Sequence, residues 1–476
     1  MEQWSFPAGY DESFLPANDR RFWFPRRETM PAIEREGAIL ERLKAVCGYA
    51  YEHAPFYRRK WDEAEFHPSK LRSLEDFERV PVIHKADLRD AQARQPPFGD
   101  YLCVPASEVF HVHGTSGTTG RPTAFAIGRA DWRAIANAHA RIMWGMGLRP
   151  GDTICLAAVF SLYMGSWGAL AGAERLGAKC FPFGAGASGM SARLVHWLNL
   201  LKPTAFYGTP TYALHLAQVA REEKLEPRDF HLQIMFFSGE PGASIPGIRG
   251  KIEELYGAKV IDCGSMAEMT PWMNVAGSAQ TDGMLCWQDI VYTEVCDPKT
   301  FRRVPYGERG TPVYTHLERT SQPMIRLVSG DLSRWTDEAN PCGRTYPRLP
   351  QGIFGRIDDM FTVRGENVYP SEIDAALNEI ANYGGEHRII ISREAAMDEL
   401  LLQVEADATT FAKGDGEMAR FRAAVEHKMQ ITLGLRTLVE VAKPHSIART
   451  DFKARRVIDN RQMFRDLHAQ IEGVKS

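Results

Sequence analysis

Six stretches of this chain carry residue types that could do chemistry on phosphates and carboxylates. The densest runs from His113 and Gly114 through Thr115, Ser116, Gly117, Thr118, Thr119 and Gly120 to Arg121 and Pro122. Glycines let the backbone come close to a ligand, and the amides and hydroxyls of such a loop can converge on phosphate oxygens. Arg121 adds a permanent charge on a planar fork that matches a phosphate face. The spacing is not G-x-x-x-x-G-K-[ST], so this is not a Walker-type loop. Downstream, Asp262-Cys263-Gly264-Ser265-Met266-Ala267-Glu268 ends in a carboxylate, a hard oxygen ligand suited to a divalent cation beside phosphates. Asp331, in Ser329-Gly330-Asp331, is an ionised carboxylate and so a bidentate hydrogen-bond acceptor. Alone, that tripeptide is a common turn, and Phe237 to Gly242 reads equally well as a strand-to-helix turn. The last two stretches are Gly355 to Ile373, which alone is a charged entry to a helix, and Ser446 to Val457. In the latter, Arg449, Lys453, Arg455 and Arg456 would by themselves read as a solvated basic face.

The bulk properties narrow what such residues can serve. The chain has 476 residues, and at about 150 residues per domain its length anticipates about three domains. Hydrophobic residues are 44% and charged residues 25%, as in ordinary globular proteins, which excludes a disordered tail or a disulfide-stapled miniature. With 57 Lys plus Arg against 60 Asp plus Glu, there is no general field to draw nucleic acid or an anionic membrane. Eight cysteines without a C-x-x-C pair are expected as reduced, buried thiols rather than a zinc site. The start of the chain lacks the basic and apolar regions of a secretory signal. Its longest apolar run, residues 153–173, is interrupted by Ser161, Gly165, Ser166 and Gly168. A cytoplasmic protein without a membrane partner is the expectation.

The elements that must position these residues follow from periodicity. A helix-period stripe begins at Ile39, Leu43, Val46 and Ala50 and is expected to stop at Pro55. Val80 to Asp90 reads as a linker entering a helix. From about Val109, short apolar runs alternate with longer amphipathic ones, which predicts β-α-β units around a mostly parallel sheet. After Gly283 the pattern turns β-rich, and a boundary is expected near Gly355 to Asp359. The segment beyond it reads as α+β. The expected fold is therefore α/β: residues 1–355 form a large domain of mostly parallel sheets with helices plus a β-rich subdomain, and residues 356–476 a small α+β domain.

Thr115 to Pro122 closely resembles the phosphate loop of the adenylate-forming superfamily of acyl-CoA synthetases, luciferase and adenylation domains, with Arg121 where that family usually has Lys. Gly239-Glu240-Pro241 resembles its adenine-lining segment. Asp262 to Glu268 resembles the segment that supplies an aromatic, a hydroxyl and a magnesium-binding Glu. Here Glu268 is kept, Ala267 replaces the hydroxyl, and Gly264 or Cys263 replaces the aromatic. Ser329 to Asp331 resembles the ribose-binding segment, and Gly355 to Ile373 the junction between the two domains. Ser446 to Val457 resembles the catalytic-lysine segment, with Phe452 in place of a usual Gly. The Asp358-Asp359-Met360 variant of the junction points to the phenylacetate–CoA ligase-like branch, as do Tyr51 to Lys60 and Ala171 to Ala178.

The resemblance implies a carboxylate–CoA ligase that uses ATP, Mg²⁺ and coenzyme A and passes through an acyl-adenylate. It implies Lys453, Glu268 and Arg356 as catalytic residues, with Glu268 as the metal ligand. It implies ATP contacts from Thr115 to Arg121, Gly239, Glu240, Pro241, Asp262, Cys263, Asp331 and Arg356. Asp358 would be the hinge of a mobile C-terminal domain, and Arg364 and Gly365 would meet CoA. The acyl pocket would be lined by Tyr163, Trp167, Ser265, Met269 and Trp272, or these aromatics would simply pack in the core. The acid expected is small and branched or hydroxylated, such as 2-hydroxyisobutyrate. An aryl acid such as phenylacetate, or a carrier-protein thiol in place of CoA, are the alternatives, and a homodimer is left open.

Overall fold

The computed structural model describes residues 6–115, 123–184, 189–357, 361–364, 366–392, 398–447 and 456–460. It divides into two units, Met1–Ile353 and Phe354–Ser476, each with its own core.

In the first unit an antiparallel hairpin, β1 (Val109–Gly114) and β2 (Ala124–Gly128), brackets the Thr- and Gly-rich loop. The alternating region that follows forms a parallel sheet of β3 (Thr153–Leu156), β4 (Lys179–Phe181), β5 (Ala205–Gly208), β6 (Ile234–Phe237) and β7 (Lys259–Asp262). Its order is β4-β3-β5-β6-β7, with helices Met164–Leu176, Met190–Leu201, Pro210–Glu222 and Pro246–Tyr256 as the crossovers. Strands such as Ile-Met-Phe-Phe are apolar throughout because helices cover both faces. The two-residue period sorts them: Phe206 and Phe237 enter one core cluster, while Tyr207 and Phe236 enter the other. The chain leaves β3 toward β4 on one side and returns to β5 on the other, so the strand order reverses between β3 and β5, the point at whose carboxyl edge doubly wound sheets take ligands.

The β-rich stretch is antiparallel, with β8 (Val275–Ser278) and β9 (Thr281–Cys286) as a hairpin. β10 (Val291–Cys296) pairs with β11 (Arg309–His316), which also carries β12 (Leu327–Val328) and β13 (Asp331–Arg334), and β14 (Arg348–Leu349) joins β9. The expected stop at Pro55 is half of what occurs. Helix Ala32–His53 ends, Ala54 turns extended, and Pro55 opens the next helix, Pro55–Glu63. A proline disfavours helical geometry in the residue before it but suits a first helical position, where an N–H would have no intrahelical acceptor.

The second unit contains β15 (Gly355–Arg356), a hairpin of β16 (Phe361–Val363) and β17 (Glu366–Val368), and helix Pro370–Asn378. Its sheet has the order β20-β19-β18-β21, from β18 (Tyr383–Ser392), β19 (Glu399–Ala406), β20 (Leu438–Ala442) and β21 (Val457–Asp459). Helix Asp415–Leu433 buries Phe421, Val425 and Met429 against the same core as Ile389 and Leu402. The protein is thus α/β with an antiparallel subdomain, followed by an α+β unit. All eight cysteines are unpaired, and all but Cys180 are buried. Among the described residues no helix is long and apolar enough to cross a membrane.

Candidate active site

The stem of the phosphate loop is held at both ends. Thr115 donates its amide to the Thr123 carbonyl at 3.1 Å, and Gly114 donates to the Leu162 carbonyl at 3.0 Å. That second bond ties the loop to the segment leaving β3, which carries Tyr163. Ser116, Gly117, Thr118, Thr119, Gly120 and Arg121 lie outside the described residues.

Glu268 sits on a single 3₁₀ turn, Ala267–Met269, and is only 3% exposed. Its Oε1 is 3.3 Å from the Nζ of Lys85, the first residue of helix Lys85–Arg94. Lys85 lies in the stretch expected as a linker entering a helix. What delivers it is a parallel bridge: Ile83 pairs with Leu327 on β12, donating to the Arg326 carbonyl and accepting from the Val328 amide. The same run continues through Ser329 into Asp331 at the start of β13, whose amide donates to the Ser329 hydroxyl at 3.0 Å. Lys85 and Asp331 are therefore set by one stretch of strand. Arg326 is structural, buried and bound to Glu294 and to the carbonyls of Glu78, Val80 and Phe301.

At the ends of β6 and β7 the predicted adenine residues take specific postures. Gly239 has φ +90°, a left-handed conformation that side chains rarely adopt, and this turns the chain at the carboxyl end of β6. Glu240 accepts hydrogen bonds from the amide (2.7 Å) and hydroxyl (2.6 Å) of Thr211, so its carboxylate caps helix Pro210–Glu222, and Pro241 is exposed beside it. The Cys263 thiol points to the Phe237 carbonyl at 3.2 Å, inward rather than toward a ligand. Asp262 accepts the Ser244 hydroxyl at 2.5 Å, yet burial pushes its carboxyl up to about 6. A raised carboxyl pKa means that between pH 4 and 6 the unfolded chain has already lost a proton the native state keeps, so stability falls as pH rises through that window. Asp262→Asn should escape this. Its stability relative to wild type should rise by roughly 3 kcal/mol from pH 4 to pH 7. Denaturant melts at both pH values check it, and a pH-independent difference would refute it.

Tyr163 precedes helix Met164–Leu176, and its ring lies over Gly165, where a Cβ would come within 2.2 Å of it. Its hydroxyl joins a cluster with Ser238 and Tyr207, which are themselves 2.8 Å apart. Tyr207 is the penultimate residue of β5 and Ser238 follows β6, both at the sheet's carboxyl edge, which is the signal that could have nominated them. Burial raises both tyrosine pKa values, so the cluster is neutral. Trp272 is buried between Tyr207 and His139, and a Cβ on Gly168 would meet its Nε1 at 2.7 Å. The indole N–H of Trp272 and the side-chain Nδ2 of Asn274 have no partner among the described residues. Ser265 donates to Asn274 and to the Trp272 carbonyl. Met269 packs in the core, and Trp167 donates to the Ser161 carbonyl at 2.7 Å, bracing the loop that carries Tyr163.

In the second unit Arg356 is half-buried on β15, and Arg364, on the β16–β17 turn with φ +53°, donates to the Asp398 carbonyl at 2.9 Å. Asp358, Gly365 and Lys453 lie outside the described residues.

Residues 63–314 match the AMP-binding enzyme family, and residues 365–461 match its C-terminal domain. The chain belongs to the AMP-binding enzymes, in their phenylacetate–CoA ligase-like branch. A phenylacetate–coenzyme A ligase of Thermus thermophilus is 34% identical over 92% of this chain and 99% of that protein. Nearer still, a crystal structure of a 2-hydroxyisobutyryl-CoA ligase in the postadenylation state with 2-HIB-AMP is 73% identical, covers 99% of both chains and superposes with a TM-score of 0.93. A structure of such a ligase with 2-HIB-AMP and CoA in the thioesterification state is likewise 73% identical over 99% of both chains, with a TM-score of 0.75. By class the protein is an AMP-forming acid–CoA ligase that works through an acyl-adenylate.

Proposed function

We propose that the acid is small, branched and hydroxylated at C2, with 2-hydroxyisobutyrate as the type substrate. The observation that carries this is the neutral hydroxyl cluster of Tyr163, Tyr207 and Ser238, beside Trp272 at the carboxyl edge of the parallel sheet. Neutral donors and acceptors complement an alcohol, whereas they gain nothing from a phenyl ring. The 73% identity to a 2-hydroxyisobutyryl-CoA ligase supports the same reading. A phenylacetate-type acid is the second reading, favoured by the 34% identical relative.

The roles follow from the chemistry of each group. The acid's carboxylate attacks the α-phosphorus of ATP and pyrophosphate leaves, so the protein must position two anions and stabilise charge on phosphate oxygens. The residues assigned to that charge are those of the loop from Thr115 to Arg121 and the ammonium of Lys453. Glu268, buried and already paired with a cation, fits as the ligand of Mg²⁺, which when bound would neutralise phosphate oxygens. Asp331 holds the ribose, Gly239 to Pro241 and the backbone at Cys263 border the adenine, and Arg356 reaches the nucleotide. Rotation about Asp358 then withdraws Lys453 and brings Arg364 and Gly365 to the pantetheine arm of CoA.

The test is AMP and acyl-CoA formation from Mg-ATP and CoA with 2-hydroxyisobutyrate, isobutyrate, lactate and phenylacetate. The expected kcat/KM for 2-hydroxyisobutyrate exceeds that for isobutyrate by about 10² or more, because losing the alcohol leaves buried polar groups unpaired. Tyr163→Phe and Ser238→Ala should each shrink that ratio about tenfold, the worth of one neutral hydrogen bond. A preference for phenylacetate would sink the substrate reading and leave the ligase class standing.

A further inference from the structure

We infer that Arg456 is a positioning residue for adenylation: clamped between Glu386 and Asp374, it fixes the downstream end of the segment that carries Lys453. The inference rests on the catalytic role proposed for Lys453, which lies three residues upstream. Arg456 donates from Nε to Glu386 Oε1 at 2.7 Å, from Nη2 to Glu386 Oε2 at 3.4 Å and from Nη1 to Asp374 Oδ1 at 3.0 Å. Glu386 stands on β18 and Asp374 on helix Pro370–Asn378, so one guanidinium joins two elements. His387 Nε2 is also 3.2 Å from Asp374, but burial pushes its pKa down to about 3 and it brings no charge, while its Nδ1 is engaged by Tyr383.

The clamp is needed because the backbone alone holds this point weakly. β21 is three residues long and begins immediately after Arg456, pairing in parallel with β18 at Ile389, Ile390 and Ile391. A three-residue strand is short of the usual five or six, and parallel pairing is the less stable kind. The Arg456 carbonyl accepts from the Ile389 amide at 2.7 Å, so the side-chain clamp and the first ladder bond act on the same residue. Upstream, the Ile447 amide donates to Glu405 at 2.8 Å, and Glu405 is the penultimate residue of β19. Both flanks of residues 448–455 are thus tied to carboxylates of this unit's own sheet and helix. A bidentate Arg–carboxylate pair fixes direction as well as distance, which a Lys at the same place cannot do.

Arg456→Met and Arg456→Lys would be assayed in two halves: pyrophosphate release from acid and Mg-ATP, and acyl-CoA formation from supplied acyl-adenylate and CoA, beside Lys453→Ala. A misplaced catalytic group costs about 10²-fold. The expected result is a loss of that order in pyrophosphate release for Arg456→Met and a smaller one for Arg456→Lys. Thioester formation should stay within about threefold, since a positioned lysine matters only to the first half. Glu386→Gln, which keeps Arg456 and weakens one partner, should show the same split more mildly and stands in if Arg456→Met does not fold. Equal losses in both halves would mark Arg456 as merely structural and overturn the inference. So would an unchanged first half in Arg456→Met while Lys453→Ala loses it. Full adenylation by Lys453→Ala would instead overturn the role of the lysine, and the inference with it.

Discussion

Lys453→Ala is expected to slow acyl-adenylate formation by about 10²–10³-fold, the usual cost of removing one preorganised donor from a site where charge develops. Thioester formation from supplied acyl-adenylate should change little. The reason lies in where charge moves. In the first half-reaction, negative charge accumulates between the attacking carboxylate and the departing pyrophosphate, and an ammonium there stabilises the transition state more than the ground state. In the second, a thiol displaces AMP at a carbonyl carbon, and no pyrophosphate departs for an ammonium to stabilise. Pyrophosphate release and acyl-CoA formation, measured separately, check this. A parallel loss in both halves would return Lys453 to a structural role and leave the acid–CoA ligase class unaffected.

Glu268→Gln should have a comparable effect, about 10²–10³-fold on adenylation, together with a shift of the activity curve to higher Mg²⁺ concentration. A neutral amide has the shape of a carboxylate but is a poor ligand for a hard cation. Lys85 supplies the complementary experiment. Its ammonium is 3.3 Å from a Glu268 carboxylate that is almost wholly buried. Lys85→Met leaves that charge without this partner. Breaking a fully buried pair costs about 3–5 kcal/mol, but the Lys85 side chain is 33% exposed and partly screened, so a loss of about 1–2 kcal/mol is expected. Adding Mg-ATP should restore part of it, since a divalent cation then meets the same carboxylate. Thermal melts with and without Mg-ATP read this directly. An unchanged Mg²⁺ dependence in Glu268→Gln would remove Glu268 from the metal site.

Much of the candidate site was legible because its parts are contiguous. A glycine- and hydroxyl-rich loop, a carboxylate after a strand, and a lysine in a basic segment each carry their chemistry within ten residues or so, and their order along the chain identified the family before any coordinates. The alternation of apolar and amphipathic runs announced the parallel sheet, since a strand buried on both faces has few compositions open to it. Periodicity is silent about direction, however. Glu240, read as part of an adenine wall, turns its carboxylate to the amide of Thr211. Cys263, read as a stand-in for an aromatic, points its thiol into the sheet.

What the chain order determined by itself, then, is the class of reaction, because it depends on local residue types at short spacing. Three assemblies were decided only by tertiary structure: Lys85 against Glu268, the hydroxyl cluster of Tyr163, Tyr207 and Ser238, and the Arg456 clamp on Glu386 and Asp374. Each joins side chains far apart in sequence. Their meeting is set by which strands pair, in what register, and on which side each crossover returns, and no residue in any of the three carries that information alone.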